Sequence, residues 1–216
     1  MSCHHRRVSS PDRPFQLRSL VIGDDPEAWQ AAGFTVVDGI TSVGSTVIVL
    51  DPGADPGITA DLDGLDSAVD GLRMAANPTE APTLAAHANQ VTGFDHLVAM
   101  SPAIQRTSDA LIDAGLERRR TRTFTVDGAT RRQDFFWMGD VILELVGVDG
   151  HTGDGPASWW GLALECADLD TASHVLGDSI GPAKDAVQKG RRIATIRTRE
   201  LGISAPIALM SPHAAG

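Results

Sequence analysis

The chain has 216 residues, 42% hydrophobic and 21% charged, which suits a globular protein of one or two small domains. Its formal net charge of −10 argues against nucleic acid or an anionic membrane as the main partner. No run approaches the roughly 18 apolar residues of a membrane span, and the two cysteines, Cys3 and Cys166, are too few and too ill-matched for a disulfide framework.

The N-terminal stretch MSCHHRRVSSPDRP carries charge with no apolar segment behind it. It reads as a frayed tail over 1–14, with His4 and His5 unfixed, and not as a secretory signal. A cytoplasmic, reducing compartment is the expectation. The first regular unit is LRSLVIGDDPEAWQAAGF, residues 17–34. Leu20 and Ile22 give strand character, Asp25 and Pro26 form a cap-then-proline helix start, and Gly33 ends the helix. The Asp24–Asp25 pair is explained by that helix start rather than by a paired-carboxylate site. FTVV (34–37) and STVIVL (45–50) read as strands, with a turn at Gly44. Residues 51–59 form a turn-rich crossing, and 62–72 fit a short helix or a loop equally well. Residues 76–92 lack periodicity, carry two prolines and read as a linker.

The stretch FDHLVAM (94–100) places an acid and an imidazole, His96, in an apolar strand. Ser101 and Pro102 then start a helix that ends near Gly115. RTFTV (122–126), RRQDFFWM (131–138) and VILELV (141–146) follow as strands, with hairpin turns at Asp127-Gly128 and Gly139-Asp140. GVDGHTGDGPAS (147–158) is a seam. The pattern then returns in WWGLALECADLDTASHVLGDSIG (159–181), where an offset of 65 pairs Leu97 with Leu162 and Leu111 with Leu176. Asp168 or Asp170 caps its helix, Gly177 ends it, and RRIATIR (191–197) and PIALM (206–210) follow around Gly202. The repeating unit is βαβββ, and the fold class is α+β. Each sheet needs one face covered by its helix and the other by a second unit or a cavity. The predicted organisation is a degenerate N-terminal module (15–75), the linker, and paired modules at 93–147 and 158–212.

Three basic groups stand out: Arg118, Arg119, Arg120 and Arg122; Arg131 and Arg132; and Arg191 and Arg192. In an acidic chain they read as a solvated face near a helix C-terminus. His87 and His151, in linkers, read as solvated, His174 as surface or core filler, and His213 as tail. No phosphate-binding glycine loop, CxxC pair, HExxH or GxSxG motif occurs.

The βαβββ repeat, HANQVTGFDHLVAMSP, MGDVILELVG (138–147) and GRRIATIR (190–197) resemble the vicinal oxygen chelate superfamily, in particular its actinobacterial glyoxalase-like members. This is the glyoxalase, bleomycin-resistance and extradiol-dioxygenase group. The resemblance implies paired mixed sheets curling into a cup. In metal-using members the cup holds a divalent ion, with one ligand from the first and one from the last strand of each module. His96 and Glu144 match the metal-ligand positions of the first module. In the second, Gly161 and the apolar surroundings of Leu209 stand where ligands are expected, so half of the set is missing.

Strand alternation gives an independent reading. If Leu97 and Ala99 pack on the helix, His96, Val98 and Met100 face the cup, as do Ile142, Glu144 and Val146. A two-residue turn at 139–140 adds Gln133, Phe135 and Trp137. In the second module Gly161, Ala163, Glu165, Ile193, Thr195 and Arg197 face inward. Candidate catalytic residues are therefore Glu144 and Glu165. Candidate substrate-binding residues are Gln133, Phe135, Trp137, Arg197 and Trp159. Trp137 and Trp159 also suit a core role, and His96 a hydrogen-bonded structural one.

Three functions stay open at this point. A divalent ion on His96 and Glu144 could assist a lyase, an isomerase or a dioxygenase-like reaction. A metal-free cup could bind or sequester a small molecule, as the bleomycin-resistance type does. Or the cup is filled by its own side chains. An unpaired sheet face could also be covered by a second subunit in a homodimer.

Overall fold

The computed structural model describes residues 15–65, 67–77, 80 and 86–213. The tail over 1–14 and part of the 76–92 linker lie outside them. An eight-stranded sheet dominates, in the order β10-β11-β12-β9-β5-β8-β7-β6. Its first half-sheet is β5 (Val91–Met100), β8 (Val141–Val148), β7 (Ala129–Met138) and β6 (Arg118–Val126), with helix α2 (Ile104–Asp113) between β5 and β6. The second half repeats that order with β9 (Ser158–Cys166), β12 (Ile207–Met210), β11 (Arg192–Thr195) and the two-residue β10 (Lys184–Asp185), with α3 (Leu169–Leu176) after β9. First and last strands pair in parallel within each half, β5 with β8 and β9 with β12, and the halves join through antiparallel β5 and β9. This is the α+β fold with two βαβββ units that the repeat predicts.

Local chemistry sets these elements. Asp168 caps α3, accepting from the Asp170 and Thr171 amides. The first helix of the pair begins later than Ser101-Pro102 suggested, at Ile104, and the Ser101 hydroxyl instead accepts from the Ala103 amide. Asp127 and Gly128, with φ of 51° and 77°, make the tight turn that sets Val126 opposite Ala129. Leu97, Ala99, Leu111, Leu143 and Leu145 are fully buried on the helix side of the first half-sheet. Each large apolar side chain there stabilises the fold by roughly 1.5–3 kcal/mol.

A second sheet, in the order β2-β3-β1-β4, comes from β1 (Leu17–Ile22), β2 (Ile40–Val43), β3 (Thr46–Leu50) and β4 (Ile58–Leu62). Asp25 caps the six-residue helix α1 (Pro26–Ala31) as expected. Residues 34–36 are not a strand, and the chain pairs from Ile40 instead. The aromatic Phe34 is needed in the core beside Trp29, 4.9 Å between ring centroids, which draws that segment out of the sheet. β4 lies partly in the stretch read as a crossing. It pairs antiparallel with β1, much as β9 pairs with β5. The described residues of 63–72 form turns and isolated bridges, with no helix among them.

The N-terminal sheet is tied to the helix side of the large one. Asp70 accepts from Arg106 Nε at 2.8 Å and from the Thr107 hydroxyl, both on α2. The Arg73 carbonyl accepts from Trp159 Nε1, and Asp24 accepts from both Trp29 Nε1 and the Ser204 amide. Asp24 is thus a buried tie rather than a solvated first-turn acid. His87 is buried too, and not solvated: its Nδ1 accepts from the Thr35 amide, so its Nε2 donates to the Ser42 carbonyl. No described helix is long and apolar enough to cross a membrane.

Candidate functional site

The concave face of the large sheet, opposite α2, carries a cavity of about 440 Å³. His96, Gln133, Glu144 and Trp160 line it, together with an apolar wall that includes Val98, Val146, Ala163 and Ala208. None of its lining comes from residues 15–77, so the N-terminal sheet covers the helix side and leaves this hollow open.

Strand register builds the polar corner. β8 alternates regularly, with Leu143 and Leu145 buried toward α2 and Glu144 half-buried toward the hollow. Glu144 sits beside Val98 on β5 and Phe135 on β7. Its Oε2 lies 3.2 Å from His96 Nε2, and its Oε1 accepts from Gln133 Nε2 at 2.5 Å. The amide oxygen of Gln133, Oε1, is buried without a partner among the described residues.

The neighbour of His96 completes the arrangement. Simple alternation would send Asp95 to the apolar side. The β5–β9 ladder is irregular between Phe94 and His96, and Asp95 is the unpaired residue there, turned onto the concave side. Its Oδ1 lies 2.7 Å from His96 Nδ1, and its Oδ2 accepts from Arg191 Nη1 at 2.6 Å. Arg191 is itself buried, 2% exposed, and its Nε donates to the Ser211 carbonyl. Burial pushes the Asp95 carboxyl up, but the hydrogen bond and charge of His96, with those of Arg191, outweigh it and hold it down to about 2. A continuous chain therefore runs Arg191–Asp95–His96–Glu144–Gln133. Both ring nitrogens of His96 face carboxylate oxygens, and a neutral ring can donate to only one of them.

Several expected residues lie elsewhere. Trp159 is buried opposite Ala99 on the helix side, because a further irregularity between Val98 and Ala99 shifts the β9 register. It is Trp160, 51% exposed, that reaches the hollow. Glu165 lines a separate small cavity with Gly44, Gly93 and Asp140. Arg197 is exposed at the start of α4 (Thr198–Leu201), since β11 ends at Thr195. Phe135 and Trp137 lie on the concave face but in an adjoining cavity of about 450 Å³, which Asp95 also lines and which shares His96 with the first. Asp95 and Arg191 were not singled out from sequence. The Asp-His dipeptide within an apolar strand is the one signal that could have flagged Asp95, and nothing local distinguishes Arg191 from Arg192.

A divalent ion of the kind the fold family implies would find His96 Nε2 and Glu144 Oε2 as its protein donors. Asp95, 2.7 Å behind His96, would hold such an imidazole ligand in orientation through its other ring nitrogen. The facing wall does not complete the set. Gly161 approaches the Pro206 backbone so closely that a Cβ would stand 2.7 Å from its carbonyl oxygen. Leu209 is buried toward the helices, and the wall position is Ala208. Among the described residues no three His, Cys, Asp or Glu side chains are arranged to hold a metal ion together. The side chains present therefore do not fit a four-ligand metal site.

No protein-family model matches the chain, and no curated protein does. Solved structures do match. A mutant of 4-hydroxymandelate synthase from Streptomyces coelicolor aligns with 94% of this chain and 94% of its own, with a TM-score of 0.62 and 13% identity. An extradiol ring-cleaving dioxygenase from B. fuscum aligns over 93% of this chain and 72% of its own, with a TM-score of 0.53 and 14% identity. At such identities the likeness shows a shared fold. The chain has the βαβββ fold of the vicinal oxygen chelate superfamily, to which both neighbours belong.

Proposed function

We propose that the hollow is a small-molecule site and that His96 and Glu144 act there as an acid–base pair, in a lyase or isomerase of the vicinal oxygen chelate kind. The supporting observation is the convergence of one imidazole and one carboxylate, 3.2 Å apart, at the edge of a largely apolar cavity. Small-molecule sites combine apolar walls with a few placed polar groups in this way. Glu144 Oε2 takes or returns a proton on a ligand carbon or hydroxyl, His96 carries it, and Asp95 holds the ring in position. Gln133 fixes the orientation of Glu144. No step passes through a metal, since the donor set does not fit one. Glu165, Arg197 and Trp159 have no part in this reading because none of them lines the hollow.

The apolar wall also supports a second reading, a metal-free binding or sequestration protein of the bleomycin-resistance type. A thermal-shift screen of small hydroxyketones and 2-oxo acids separates the two. Compounds that occupy the hollow raise the melting temperature, and Ala163→Trp, which fills it, removes the shift. Solvent deuterium incorporated into a bound compound, and lost in His96→Ala, supports the enzyme. Binding without exchange supports sequestration, and a shift that survives Ala163→Trp contradicts both.

A further inference from the structure

The second concave cavity has a character of its own. It is lined by Arg119, Arg120, Arg191 and His213, with the rings of Phe135 and Trp137, and its acids are Asp95 and Asp140. Asp95 is already engaged by Arg191 and His96. Adjacent strand residues normally face opposite ways, yet Arg119 and Arg120 both lie over this face. The β6–β7 ladder is irregular between Arg118 and Arg120, and Arg119 is the residue without a partner. As a result the Arg119 guanidinium stacks over the Trp137 ring at 4.5 Å and that of Arg120 over the Phe135 ring at 4.4 Å. Stacking on a ring face holds each cation in place while leaving its N–H edge free to donate. Buried Arg191 adds a third cation, whose Nη2 has no partner among the described residues. In a chain of net charge −10, this concentration of positive charge within one hollow stands against the background field.

We propose that the arginine-lined cavity receives the anionic end, a phosphate or carboxylate group, of the same ligand whose apolar body occupies the first hollow. This rests on the small-molecule reading above and names its substrate class: a two-ended, amphipathic anion. The cavities meet at His96, so the bond between the two ends of such a ligand lies beside the imidazole. Planar guanidinium groups match phosphate and carboxylate oxygens in pairs.

The test is calorimetric titration with hexyl phosphate, hexanoate, hexanol and inorganic phosphate at constant ionic strength. Hexyl phosphate and hexanoate separate the two anionic groups, hexanol lacks the charge, and inorganic phosphate lacks the tail. The wild type is expected to bind at least one amphipathic anion about tenfold or more tighter than hexanol. In Arg119→Ala/Arg120→Ala, two exposed side chains whose loss leaves the core intact, that preference should collapse while hexanol affinity holds. A preference that survives the double variant overturns the proposal. In that case the small-molecule reading still stands if Ala163→Trp abolishes hexanol binding. Failure of hexanol and both amphipathic anions to bind the wild type overturns both. Inorganic phosphate binding as tightly as hexyl phosphate overturns the two-ended ligand.

Discussion

Asp95 serves two partners at once, and its acidity reports on both. Its folded-state carboxyl is held down to about 2 against an ordinary value near 3.8. A carboxyl depressed on folding contributes stability above its unfolded value, and that contribution is lost as pH falls through the folded one. The window for Asp95 therefore lies between about pH 4 and pH 2, and the contribution is on the order of 2 kcal/mol. Asp95→Asn should cost roughly 3 kcal/mol or more near neutrality, since it leaves buried Arg191 without its counter-charge. Urea titrations at a series of pH values should show the gap between wild type and variant narrowing below pH 4. A gap that stays constant to pH 2 would mean that Asp95 is not the group titrating there. At the same scale, Glu144→Gln preserves shape and the Gln133 contact but removes the proton acceptor. It should retain ligand binding within a few-fold while deuterium exchange falls by about a hundredfold or more, measured by NMR on any compound found to bind.

At the scale of elements, regularity of the ladder decides what could be read in advance. β8 and the facing part of β7 are regular, and period-two alternation placed Glu144, Gln133, Phe135 and Trp137 on the concave face, with Phe135 opposite Glu144. β5, β9 and β6 carry irregularities, and there alternation fails. One turns Asp95 toward His96, one exchanges Trp159 for Trp160, and one brings Arg119 and Arg120 onto the same side. A bulge depends on pairing across strands, and single-strand periodicity carries no trace of it. Arg197 was misplaced for a different reason: β11 ends at Thr195 and the chain turns into α4. Gly161 shows how element geometry also excludes a ligand. A Cβ there would meet the Pro206 carbonyl oxygen at 2.7 Å, so β9 and β12 must separate to admit one. Gly161→Ala should destabilise by about 1–3 kcal/mol, measured by chemical denaturation. No loss would show that the two strands yield easily and that the wall could accept a larger side chain.

In the whole molecule, the repeat, the α+β class and the cup were visible because each βαβββ unit carries its own apolar periodicity and caps. The packing of the N-terminal sheet was not, because it depends on single polar ties between distant segments. Asp24, joined to both Trp29 and the Ser204 amide, is one. Asp70, joined to Arg106 and Thr107, is another. Since these ties and a shared apolar core link the two sheets, the protein should unfold in one cooperative step. Asp24→Ala should lower stability by about 1–3 kcal/mol without splitting the transition, as calorimetry would show. Two resolved transitions in the wild type would mean that the sheets are independent. Because the N-terminal unit lies on the helix side, the concave face remains available for a ligand. The most direct test is a crystal structure of the protein soaked with hexanol. The expected result is ligand density between the His96–Glu144 pair and the wall of Ala163 and Ala208. A hollow closed by its own side chains, or an imidazole turned away from Glu144, would contradict the account.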